Sequence, residues 1–136
     1  MGGCRDRIGD MPDIRGYDDA PPFVGPNTFY NAPLARNRTE LEEMGAHVAV
    51  IGAPLDSGTS HRPGARFAPQ AVRRASYLGG PVEDIYHLGL DVYPFQILKI
   101  ADFGDANCPP NSLDKSLTAV RMKVDEALMA GAVPLV

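Results

Sequence analysis

Only two cysteines, Cys4 and Cys108, occur in the 136 residues, and they lie far apart. They form neither a CxxC pair nor a Cys/His spacing suited to zinc, so the plain reading is two reduced thiols in a cytoplasmic protein. Basic charge is also in short supply, with 13 Lys and Arg against 17 Asp and Glu and a net charge of -4. No basic run interleaves with aromatics, which excludes the electrostatic footprint of a nucleic-acid binder. No apolar stretch approaches the ~20 residues that a membrane span needs. The start, Met1-Gly2-Gly3-Cys4-Arg5-Asp6, lacks the apolar core of a signal peptide, and Asp6 stands where a myristoylation motif wants Ser or Thr. Phosphate loops of the GxGxxG and GK[ST] types are absent as well.

What is present suits a folded domain. Apolar residues make up 44% and charged residues 22%, close to the average for globular chains. A domain of this length buries roughly two-thirds of the surface that its unfolded chain exposes. Fourteen glycines and thirteen prolines imply several ordered loops. The sequence runs out on Ala132-Val133-Pro134-Leu135-Val136, an apolar tail with no polar stop, so it reads as the N-terminal part of something longer.

Residues 1–38 carry Pro21-Pro22, Gly25-Pro26 and Ala32-Pro33, which forbid long regular elements. Phe23, Val24, Phe29 and Tyr30 lie close together, which favours an arm packed on a body or a neighbouring subunit over a loose tail with a few apolar residues. From residue 39 the body begins. Thr39 and Glu42 suggest a capping box, and Gly45 a stop. His47 to Gly52 reads as a strand buried on both faces, followed by a loop from Ala53 to Ala68. Pro69 then opens a helix to about Leu78 with Val72, Ala75 and Ser76 inward.

Gly79-Gly80-Pro81 makes a turn, and further strands are expected at 85–88 and 96–103. Leu113, Leu117, Val120, Val124 and Leu128 recur at helical spacing within 111–130, Gly131 ends the run, and 132–136 is a last buried strand. Strands alternating with helices predict an α/β fold around a parallel sheet. In such sheets ligands bind beyond the carboxyl ends of the strands.

The 53–68 loop leaves one of those ends, and its candidate substrate-facing residues are Asp56, Thr59, Ser60, His61 and Arg62. Asp56 could equally close an Asx turn. Arg62 and Arg66 read better as clamps, and Asp102 with Asp105 as caps of a loop. His47 and His87 read as packing residues. Cys108 has no base nearby in sequence and no case as a nucleophile.

The run from Gly52 to Pro69, Gly-Ala-Pro-Leu-Asp-Ser-Gly-Thr-Ser-His-Arg-Pro-Gly-Ala-Arg-Phe-Ala-Pro, with Ala71-Val72-Arg73 after it, resembles the N-terminal signature of the agmatinase branch of the ureohydrolase (arginase) family. The Gly25-Pro26-Asn27-Thr28-Phe29 arm and Ala101-Asp102-Phe103-Gly104-Asp105 have counterparts there too. The resemblance covers about 22–136. It implies a three-layer α/β/α domain around a parallel sheet of about eight strands, of which only the N-terminal part is present.

It further implies hydrolysis of the C–N bond of a small guanidino compound, releasing urea and an amine. In that family two Mn²⁺ ions, with Ni²⁺ as an alternative, supply the attacking hydroxide. The ligands begin with the histidine of a Gly-Gly-Asp-His run, which the resemblance places just beyond Val136, so neither a metal ligand nor a catalytic residue is expected within these residues. A homo-oligomer (trimer or hexamer), or a hetero-oligomer with a second ureohydrolase-like subunit, is implied as well. Asn31, His61 and Ala68 depart from the branch's usual residues. Those departures leave agmatine, guanidino acids, guanidine and a biguanide open as substrates. They also leave a second reading, a non-catalytic subunit supporting an active partner. An unrelated nucleotide-binding half is a third reading, against which the missing phosphate loop argues.

Overall fold

A computed structural model describes residues 25–76 and 84–136. Three parallel strands form its sheet: β1 (Val48–Gly52), β2 (Ile100–Asp105) and β3 (Val133–Leu135), in the order β2-β1-β3. The helices are α1 (Arg38–Glu43), α2 (Ala68–Ser76), the single turn α3 (Pro94–Ile97) and α4 (Leu113–Met129). Alternation along the strands divides them between two faces. Ala49 and Ile51 of β1 with Ala101 and Phe103 of β2 join Leu41, Met44 and Ala127 in one buried cluster beneath α1 and α4. The neighbours Val50 and Asp102 turn the other way, toward α2. Parallel strands with helices on both sides make the expected α/β/α layering.

Local chemistry accounts for most boundaries and corrects several. The first helix starts two residues earlier than Thr39 suggests. Asn37 is its N-cap, with its side-chain oxygen accepting from the Glu40 N–H at 2.9 Å. Glu40 reaches back to accept from the Arg36 N–H at 2.8 Å, so the box is built by Asn37 and Glu40. Gly45 ends α1 at φ 58, as the sequence predicts.

No strand forms over 85–88; a lone antiparallel bridge, His87 to Val92, stands there instead. β2 begins at Ile100, because Pro94 at a helix start winds 94–97 into a helical turn. The start of α2 lies close to expectation, but residues 77–83, with the predicted turn, lie outside the described residues.

Two faces differ from the helical-spacing argument. On α4 the fully buried side chains are the small Ser116 and Ala127, and of the predicted stripe Val124 packs against the core beside Ala127. Leu113, Leu117 and Leu128 stay about half exposed. On α2, Ala75 is exposed and Val72 is 50% exposed, while Ser76 is buried. The histidines are not packing residues either. Both are exposed, and each offers Nδ1 to a backbone N–H, His47 to Lys99 and His87 to Leu90.

The outer edge of β2 is covered. Residues 33–35 run beside Asp102, whose N–H donates to the Pro33 carbonyl and whose carbonyl accepts from the Ala35 N–H, each at 2.9 Å. The part of the predicted arm before residue 25 lies outside the described residues.

Candidate functional site

β1 ends at Gly52, and the chain then travels around a loop before α2 begins at Ala68. One buried carboxylate shapes that loop. Asp56 accepts from the Gly64 N–H at 2.8 Å and from Arg66 Nε at 2.8 Å, and Thr59 Oγ1 donates to the Asp56 carbonyl. The Arg66 guanidinium, helped by the Gly64 N–H and opposed by burial, holds the Asp56 carboxyl below its ordinary range. Gly64 sits at φ 146, a conformation that a side chain rarely adopts.

With Asp56 engaged inside, the loop's tip is Ser57, Gly58, Thr59, Ser60, His61 and Arg62, all exposed. Thr59, Ser60, His61 and Arg62 therefore stand together at the tip, and Asp56 stands apart from them as its fastening. Arg66 is the clamp that the sequence suggested.

Behind the loop a second ionic group gathers. Arg73 of α2 meets the fully buried Asp102 twice, Nε to Oδ2 at 2.7 Å and Nη2 to Oδ1 at 2.9 Å. Its Nη1 donates to Asp105 Oδ1 at 2.6 Å. Asp102 also accepts from the Phe29 and Gly104 N–H groups, each at 2.8 Å. Asp102, and Asp105 after it, raise the Arg73 pKa far above its ordinary value against the opposing effect of burial. The two aspartates thus serve Arg73 more than they cap a loop, which corrects the reading from sequence. In the sequence Arg73 stands out only as part of the Ala71-Val72-Arg73 run. The signal that could have found it is the coincidence of an arginine one helical stretch past the loop with two strand-end carboxylates.

Between the ends of β1 and β3 lies an apolar cleft of about 400 Å³ lined by Phe29, Val50, Pro69, Val72 and Leu135 among others, with Arg73 at its margin. Lys123 stands on the opposite layer, its ammonium 3.8 Å from the centre of the Phe103 ring, and burial lowers its pKa. Burial likewise raises the Cys108 thiol, consistent with an inert residue. Among the described residues, no three His, Cys, Asp or Glu side chains lie close enough together to hold a metal ion. A metal pair therefore does not fit these residues, and no chemical step is assigned to one here. None of the described helices is long and apolar enough to cross a membrane.

The arginase family's sequence profile matches residues 46–136, from the approach to β1 through β3. The chain belongs to the arginase family. It is 40% identical over 102 residues to the mitochondrial guanidino acid hydrolase of Homo sapiens, covering 75% of this chain and 28% of that protein. To the guanidinobutyrase of Pseudomonas aeruginosa it is 32% identical over 120 residues, 88% of this chain and 36% of the relative. Among solved structures it is similar to proclavaminate amidino hydrolase from Streptomyces clavuligerus, with a TM-score of 0.61 and 33% identity over 81% of this chain and 34% of the other. The chain thus spans about a third of the length of the arginase-family proteins it matches. The Asp56 loop and the Arg73 group both fall inside the matched region.

Proposed function

We propose that this chain is the loop-bearing part of a hydrolase that cleaves the C–N bond of a guanidino acid, releasing urea and an amine. Membership of the arginase family carries the reaction class. Charge on the loop supports the substrate class: Asp56 is neutralised by Arg66, so what faces outward is Thr59, Ser60, His61 and Arg62, a polar tip whose formal charge is positive. Such a tip attracts a carboxylate tail and repels the ammonium of agmatine. The names of the human and Pseudomonas relatives point to the same class.

The metal pair, Mn²⁺ with Ni²⁺ as the alternative, belongs to the proposal with its ligands beyond Val136, and when bound it would supply the activated water. The described residues bind and orient; they do not activate water. It follows that the 136-residue chain by itself releases no urea. A homo-oligomeric assembly is part of the same reading.

The test is urea release by a family-length protein carrying this chain, loaded with Mn²⁺ or Ni²⁺ and offered 3-guanidinopropionate, 4-guanidinobutyrate, agmatine and arginine. Release from a guanidino acid, abolished by a chelator, is expected. No urea from any of the four with either metal would overturn the proposal.

A further inference from the structure

Asp102 and Asp105 are three residues apart on β2, and in a regular strand an odd separation sends two side chains to opposite faces. Here the register slips. Val50 stands opposite Asp102 but Gly52 opposite Asp105, so one extra residue sits on β2. Gly104, at φ 70, lies within that slip, in a left-handed conformation that costs other residues dearly. The bulge brings both carboxylates to the side where Arg73 waits.

Gly52 completes the arrangement. A Cβ there would lie 1.8 Å from Asp105 Oδ1 and 2.9 Å from Pro69 Cβ. Asp105 therefore crosses directly over the residue at which the loop departs, and Arg73 belongs to the helix on which the loop returns. Ser76 ties in the arm, accepting from the Tyr30 N–H and donating to the Arg73 carbonyl, each at 2.9 Å. Tyr30 and Asn31 are held at φ 49 and 53, so the arm accepts backbone strain where it meets this group.

We propose that Arg73 is a positioning residue for the 53–67 loop, fixing the distance between its departure at Gly52 and its return on α2. The bulge at Gly104 and the bare backbone of Gly52 exist in this arrangement to let one guanidinium hold both sides of the loop's mouth. The catalytic consequence rests on the hydrolase reading above; the mechanical one does not.

The experiment uses the family-length protein with Arg73→Lys, which cannot keep the two-pronged contact, and Asp105→Asn, at a side chain that is 44% exposed. Two readouts are taken. KM for the guanidino substrate is expected to rise about tenfold with kcat changed less than about twofold, the pattern of lost substrate binding. Tryptic cleavage after Arg66 is expected to accelerate about tenfold, while cleavage after Lys99 keeps the wild-type rate.

Unchanged KM and unchanged cleavage after Arg66 in both variants would overturn the proposal. So would cleavage after Lys99 rising in step with that after Arg66, since that marks general loosening. If the wild-type protein releases no urea but the cleavage pattern appears, the loop device stands and the hydrolase reading alone falls.

Discussion

Asp56 illustrates how one residue can be close to a site without being in it. Its carboxyl is spent on Arg66 and the Gly64 N–H, so it shapes the loop, while Arg62 and His61 face outward. Replacing Arg62 with Ala in the family-length protein should raise KM for a guanidino acid about tenfold, near 1.4 kcal/mol, and leave KM for agmatine unchanged or lower. Steady-state kinetics on the two substrates checks this. Acid should release the loop in a defined direction. Because Asp56 titrates below its ordinary 3.8 when folded, its contribution is complete above that value and is lost as the pH falls through the lower folded value. Amide-exchange protection at Gly64 should therefore hold at pH 3.8 and collapse only as the pH falls through the lower folded value, and Asp56→Asn should abolish that acid step. Thr28 offers a different kind of check. Its hydroxyl is buried, and among the described residues it has no hydrogen-bond partner. Thr28→Val should keep or raise stability, by up to about 1 kcal/mol in urea denaturation; a loss of that size would show that the hydroxyl is satisfied.

At the scale of elements, patterns confined to a few neighbouring residues were legible and those depending on distant partners were not. The strand at 48–52, the helix ended by Gly131 and the parallel arrangement follow from local apolar runs, turn glycines and strand–helix alternation. The first helix cap misled because two overlapping boxes exist and only packing selects between them. Asn37→Ala should cost about 1 kcal/mol, and Thr39→Ala much less, in thermal or urea unfolding. Equal losses would restore the cap to Thr39. The 85–88 strand failed because a short apolar run cannot form a sheet without a neighbouring strand to pair with. The stripe of α4 was found by period, but only Val124 of it packs on the core and its leucines stay about half exposed, since helical spacing identifies a stripe and says nothing of which neighbours cover it. The Arg73 group was hidden for a related reason. Its three members are separated by 29 and 32 residues, and a register slip that no local pattern announces brings the two aspartates together.

For the molecule as a whole, the sheet is closed on one side and open on the other. Residues 33–35 cover the outer edge of β2, whereas β3 pairs with β1 alone among the described strands and leaves Val133 and Leu135 more than half exposed. The free edge of β3 lies next to the apolar cleft at the strand ends. Under the proposed function, the described residues shape and fasten a substrate loop while the chemistry of bond cleavage is supplied elsewhere in a family-length protein. The most direct measurement is urea release from 3-guanidinopropionate and 4-guanidinobutyrate with Mn²⁺ or Ni²⁺, assayed side by side for the 136-residue chain and for a family-length protein that contains it. Urea from the longer protein alone is the predicted result; urea from the 136-residue chain, or from neither, would contradict the account.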